Sequence, residues 1–184
     1  MNSVTSIDNC HKPAWQHRGQ TLKTWGKDNT GLIEYRFNSQ GYRHAQTYNW
    51  PAKWAFFGNS VVFGIGVPEP NILTSYFDHS QNYGLSGNYM NHHSVTNLTH
   101  FVESKCFTSQ THIVFFWIDR DEDINQLIQQ VNQLVPACLH ISSGQHRPGA
   151  INLMPHKDLD VSGTHPGPRT HEMWAKTIKL LHRA

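Results

Sequence analysis

The segment Thr111-His112-Ile113-Val114-Phe115-Phe116-Trp117-Ile118 constrains the fold more than any other part of the chain. It is too short for a typical helix, is rich in β-branched and aromatic residues, and is apolar almost throughout. A strand of that kind is covered on both faces, so it belongs at the centre of a sheet with helices on either side. Neighbouring segments supply such partners. Trp54 to Gly58 and Ala137 to Ile141 read as further strands, with another expected around Ala150 to Leu153. Val95, Leu98 and Val102 share one helical face, and Ile124, Leu127, Ile128, Val131, Leu134 and Val135 keep helical spacing. Pro70 stands where a helix can begin, with Ile72, Leu73, Tyr76 and Phe77 as its apolar face. After His165-Pro166-Gly167-Pro168 a final helix is expected to run to about His182, with Trp174, Ile178 and Leu181 inward. Strands alternating with amphipathic helices make an α/β sandwich with a mostly parallel sheet, in which reactive groups gather beyond the carboxyl ends of the strands.

The N-terminal part reads differently. Residues 1–31 mix Pro13, Gly19, Gly26 and Gly31 with Trp15 and Trp25 and show no clean periodicity, so they are expected to form an extended arm packed through its aromatics. Leu32 to Phe37 supports a strand, and Asn38-Ser39-Gln40-Gly41-Tyr42-Arg43 marks a turn. Residues 32–184 then form one domain, long enough to bury a core without disulfides or metal.

Composition narrows the function classes. The net charge of +2 arises from 15 basic and 13 acidic residues spread along the chain, without the basic block that neutralises a phosphate backbone, so nucleic acid is not the expected partner. The longest apolar run within a strand-like segment, Ile113 to Ile118, is far short of a membrane span. The polar start Met1-Asn2-Ser3-Val4-Thr5 lacks a signal-peptide core, and a cytoplasmic protein is expected. Cys10, Cys106 and Cys138 are odd in number and widely spaced, which fits reduced thiols better than a disulfide framework or a zinc site. The chain has 14 histidines, but His92-His93 has no accompanying His-Glu-x-x-His or Cys/Asp cluster, so no metal and no cofactor is expected.

Against that background one turn stands out. The apolar run Ala55-Phe56-Phe57 ends abruptly in Gly58-Asn59-Ser60, followed by Gly64 and Gly66. A buried strand that delivers a serine to a glycine-softened turn exposes a nucleophile at a sheet edge, although the same residues also make an ordinary turn.

Taken in order, the blocks around this turn resemble the SGNH (GDSL-type) hydrolase superfamily over roughly residues 32 to 182. Phe57 to Val67 is similar to the first block, with Asn59 in place of the usual aspartate and Ser60 intact. Asn38 to Arg43 resembles an Asn-Ser-x-Gly-Phe-Arg element found upstream of the serine in one branch. Asn82-Tyr83-Gly84-Leu85-Ser86-Gly87 is similar to the second block, and Asp160 to Ala175 to the last, which carries the histidine. The resemblance implies a flavodoxin-like three-layer α/β/α fold and ester cleavage through a serine nucleophile. It makes Ser60 the nucleophile, His165 the base, and the amides of Ser60 and Gly87 the oxyanion donors.

Two departures bear on that chemistry. The third block normally ends in Gly-x-Asn-Asp, whose asparagine donates to the oxyanion, whereas this chain has Trp117-Ile118-Asp119-Arg120. An ionised Asp119 only accepts hydrogen bonds, which leaves Arg120 as a substitute donor. The family's orienting aspartate lies two or three residues before the histidine, where this chain has Gly163 and Ser162; Asp160 is the nearest acid, and a Ser–His dyad is the alternative. Asn59, Trp117 and Asp119 are the candidate substrate contacts; for Trp117 and for Tyr89, a further aromatic, core packing is the equal alternative to lining a pocket. The expected activity is hydrolysis of small-molecule or carbohydrate carboxylic esters. The rivals are a non-catalytic binding protein on the same fold and an O-acyltransferase in which a sugar hydroxyl replaces water.

Overall fold

The computed structural model describes residues 21–25, 32–43, 48, 50–86, 90–118, 123–142, 149–153, 158–160 and 165–182. The elements are β1 (Thr21–Trp25), β2 (Leu32–Arg36), β3 (Trp54–Gly58), α1 (Ser60–Phe63), β4 (Ser80–Gly84), α2 (Asn91–Val102), β5 (His112–Trp117), α3 (Ile124–Leu134), β6 (Leu139–Ser142), β7 (Ile151–Asn152) and α4 (Pro168–Leu181). Five strands form one parallel sheet in the order β4-β3-β5-β6-β7, while β1 and β2 pair antiparallel as a separate hairpin. That strand order is the flavodoxin-like one, and it puts a topological switch point between β3 and β5.

The central strands are buried as their sequences require. Along β3, Ala55 and Phe57 face a core shared with α2 and α3, while Trp54 and Phe56 face a second core shared with α4. β5 alternates the same way, Ile113, Phe115 and Trp117 on one side and Val114 and Phe116 on the other. α3 turns Ile124, Ile128 and Val131 inward, and Asp123 Oδ1 accepts from Gln126 N–H at 3.1 Å to cap it. Among the described residues no helix is long and apolar enough to cross a membrane.

Three segments depart from the pattern-based expectation. Thr21–Trp25, placed in an irregular arm, forms β1 against β2; the rest of residues 1–31 lies outside the described residues. The helix expected from Pro70 is instead a pair of 3₁₀ turns, Glu69–Asn71 and Leu73–Tyr76. They are separated by Ile72 in an extended conformation (φ −74°, ψ 156°), and Leu73 N–H donates to His171 Nδ1 at 2.9 Å rather than to a helical carbonyl. Ser80–Gly84, which includes the first three residues of the Asn82–Gly87 block, is the edge strand β4. Its polar residues are buried yet satisfied: Asn82 Nδ2 donates to Val62 O at 2.9 Å, and Gln81 Nε2 to Trp50 O at 3.0 Å. Gly84 lies directly under α1, where a Cβ would collide with the backbone of Val62 and Phe63. Glycine there lets the serine-bearing helix rest on the sheet.

Candidate active site

Ser60 is the first residue of α1, just past the carboxyl end of β3 and beside the switch point. The strand end is held from both sides, since Gly58 O accepts from Leu85 N–H at 2.9 Å and from Ser94 Oγ at 3.1 Å. Asn59 caps the short helix, its Oδ1 accepting from Val61 N–H at 3.1 Å. That role is open to Asn as well as to the Asp of the block it resembles, because a carboxylate and an amide carbonyl accept the same bond.

The opposite wall comes from the segment before α4. Leu159 and Pro166 form an antiparallel bridge, Gly167 N–H donates to Asp158 O at 3.0 Å, and Asp160 N–H donates to His165 O at 2.8 Å. Asp158 fastens this segment to the helix, with Oδ1 accepting from Thr170 N–H at 2.8 Å and Oδ2 from Arg169 N–H at 3.0 Å. His165 Nε2 then reaches Ser60 Oγ at 3.1 Å. On the other side of the ring, Asp160 Oδ2 is 3.8 Å from Nδ1, and Asp160 Oδ1 accepts from the His165 backbone N–H at 3.1 Å. The Asp160 side chain is fully buried, and that of His165 is 27% exposed.

Burial lowers the pKa of His165 below its ordinary 6.5, and the Asp160 carboxylate opposes that shift. The imidazole is therefore neutral near pH 7 and able to accept a proton, with the Asp160 carboxylate 3.8 Å from Nδ1. Asp160, five residues before His165, comes into place because the bridge folds the chain back upon itself. Linear spacing gave no sign of that.

Other expected site residues fare differently. Of the two readings of Trp117, substrate contact and core packing, the structure has the second: it is 1% exposed, stacks on Phe115, and donates from Nε1 to His140 Nδ1 at 3.0 Å. It is a core residue, because the inward alternation of β5 continues to the end of the strand. Asn59 commits its carbonyl to the helix cap. Gly87, Tyr89, Asp119 and Arg120 lie outside the described residues. Just before them, Ile118 is gripped by Asn91, whose Nδ2 donates to Ile118 O and whose Oδ1 accepts from Ile118 N–H, both at 3.1 Å. This ties the end of β5 to the start of α2. Among the described residues no group of three or more His, Cys, Asp or Glu side chains is placed to hold a metal ion.

Behind the serine lies a buried polar support built on Arg43. Arg43, 0% exposed, donates from Nη1 to Phe63 O at 2.7 Å and to Gly64 O, and from Nη2 to Val67 O. Its guanidinium carbon sits 4.6 Å from the Tyr35 ring centroid and 5.3 Å from that of Phe63. Burial pushes its pKa down to about 10, which leaves it charged at neutral pH. The signal was the Asn38–Arg43 motif itself, noted for its resemblance but given no task.

No protein-family model matches this chain, and no curated protein sequence matches it. A solved structure does: the crystal structure of a member of the lipolytic protein G-D-S-L family from Veillonella parvula DSM 2008, at 13% identity. The match covers 71% of this chain and 98% of that one with a TM-score of 0.50. At that identity the likeness is one of fold, in keeping with this chain's α/β architecture of a parallel sheet flanked by helices.

Proposed function

We propose that the protein is a serine hydrolase of carboxylic esters, with Ser60 as nucleophile, His165 as general base and Asp160 as the acid that orients it. The observation that carries this reading is the 3.1 Å approach of His165 Nε2 to Ser60 Oγ, with the buried Asp160 carboxylate behind the same ring. As Ser60 Oγ attacks the ester carbonyl, its proton passes to His165 Nε2. The tetrahedral oxyanion forms beside the Ser60 amide in the first turn of α1, with the Gly87 amide as the second proposed donor. Collapse expels the alcohol, protonated by His165, and leaves an acyl group on Ser60. Water then attacks the acyl carbonyl as His165 takes its proton; the Ser60–acyl bond breaks, the carboxylic acid leaves, and His165 returns the proton to Ser60 Oγ.

In the third block the usual asparagine donor is absent, and Arg120 is the proposed replacement. Loss of one oxyanion donor costs about 10²–10³ in turnover, so a slow or specialised esterase is the expected phenotype. Small-molecule and carbohydrate O-acyl esters are the substrate classes to screen. The test is intact-protein mass spectrometry after exposure to a fluorophosphonate, together with turnover of short-chain aryl esters. An adduct and turnover that both vanish in Ser60→Ala support the proposal. Labelling and turnover indifferent to Ser60 overturn it, and an acyl adduct that water discharges slowly but a sugar hydroxyl discharges quickly points to transfer.

A further inference from the structure

We propose that Tyr35 and Arg43, contributed by the segment preceding the main sheet, are positioning residues for this reaction. They act through the Gly64–Val67 loop, against which the Asp160 carboxylate rests. The inference depends on the serine hydrolase reading and assigns a task to residues that reading does not use.

The contacts run in one direction. Asn38 Oδ1 accepts from Gln40 N–H and Tyr42 N–H, each at 3.0 Å, which shapes the turn that sends Arg43 inward. The Arg43 guanidinium spans the carbonyls of Phe63, Gly64 and Val67, so one planar fork holds both ends of the loop that follows α1. In the middle of that loop Gly66 N–H donates to the Tyr35 hydroxyl at 2.8 Å. Gly66 has φ +71°, and on its other side lies Asp160: a Cβ at position 66 would overlap the carboxylate. The loop is thus gripped from below by Tyr35 and Arg43 and offers a bare backbone surface to the acid behind His165.

Tyr35 and Phe63 pack ring against ring with centroids 5.6 Å apart, so the clamp is also continuous with the helix that begins at Ser60. The titratable and charged groups around this seam are Asp160, Tyr35, Arg43 and His171, with Glu69 and Asp158 further out. Burial raises the pKa of Tyr35, with the Asp160 carboxylate adding a smaller push in the same direction, and so keeps the phenol protonated. The site therefore has its nucleophile and its acid referenced to one small buried frame.

Tyr35→Phe removes only the hydroxyl that accepts from Gly66 N–H. The expected result is a fall in kcat of about tenfold with KM changed less than about twofold, the signature of lost transition-state positioning. The His165 imidazole, followed by NMR and assigned through its loss in His165→Gln, should titrate at lower pH as the supporting carboxylate drifts away. In an Asp160→Asn background, Tyr35→Phe should cost less than about twofold, because its route of action is already cut. Unchanged kcat and His165 titration in Tyr35→Phe, or an undiminished loss in the Asp160→Asn background, overturns the proposal.

If Tyr35→Phe does not fold, 3-fluorotyrosine placed at position 35 keeps the ring and hydroxyl while weakening the accepted bond. It should move the His165 titration in the same direction, and no movement counts against the clamp. Ser60-independent labelling would sink the hydrolase reading, whereas the NMR titration judges the clamp without reference to turnover.

Discussion

Ser60, His165 and Asp160 set the first predictions. Because burial lowers the pKa of His165 and Asp160 opposes that effect, kcat/KM for an ester should fall on the acid side with a midpoint below 6.5. Asp160→Asn removes the group that favours imidazolium, so the midpoint should move to still lower pH while the plateau drops about 10²-fold or more. A pH–rate profile reads both effects, and a midpoint that rises in Asp160→Asn would contradict the arrangement. Asn59 carries a different load. Its Oδ1 cap on Val61 N–H is the local device that starts α1, so Asn59→Ala should lose about 1 kcal/mol in urea unfolding. Asn59→Asp retains the acceptor and should lose less.

Among the elements, α4 is tied to the 3₁₀ turns through His171, which is 1% exposed. Its Nδ1 accepts from Leu73 N–H, and its other nitrogen donates to the Pro166 carbonyl, next to His165. Burial and nearby Arg43 push its pKa down to about 4, from an ordinary 6.5. The unfolded chain therefore binds a proton more readily than the folded one across that interval. His171's contribution is complete above about pH 6.5, declines as pH falls, and is exhausted below about 4, a total of about 3 kcal/mol. His171→Asn does not titrate, so its urea midpoint should fall less between pH 7 and pH 4.5 than that of the unmodified protein. The same contact explains what was legible in the sequence. β3, β5, α3 and α4 follow from periodicity because apolar burial alone defines them. The 3₁₀ turns do not, because Leu73 N–H is diverted to a residue 98 positions away. β4 hides for a related reason, its buried Gln81 and Asn82 being satisfied by partners from other elements. At the site, Ser60 and His165 were readable as motif positions, while Asp160 depends on a backbone bridge that spacing does not encode.

On the scale of the whole molecule, the sheet separates two apolar cores, one under α2 and α3 and the other under α4. They are not independent, because β3 and β5 each send alternate side chains into both. Phe115 and Phe116 are neighbours on one strand, the first 0% and the second 1% exposed, and they lie in different cores. A large cavity on one side should therefore weaken the whole fold and not merely one layer. Phe115→Ala removes a ring that stacks on Trp117 at 4.2 Å between centroids, and such truncations cost about 3–5 kcal/mol. Trp174 reports from the other side of the sheet, at 5.8 Å from Phe116. In variants that retain Trp174 or Trp117 as the single tryptophan of the chain, urea unfolding should give coincident transitions by fluorescence and far-UV circular dichroism. Phe115→Ala should shift both by the same amount. A shift confined to the Trp117 probe would mean that the two layers unfold separately.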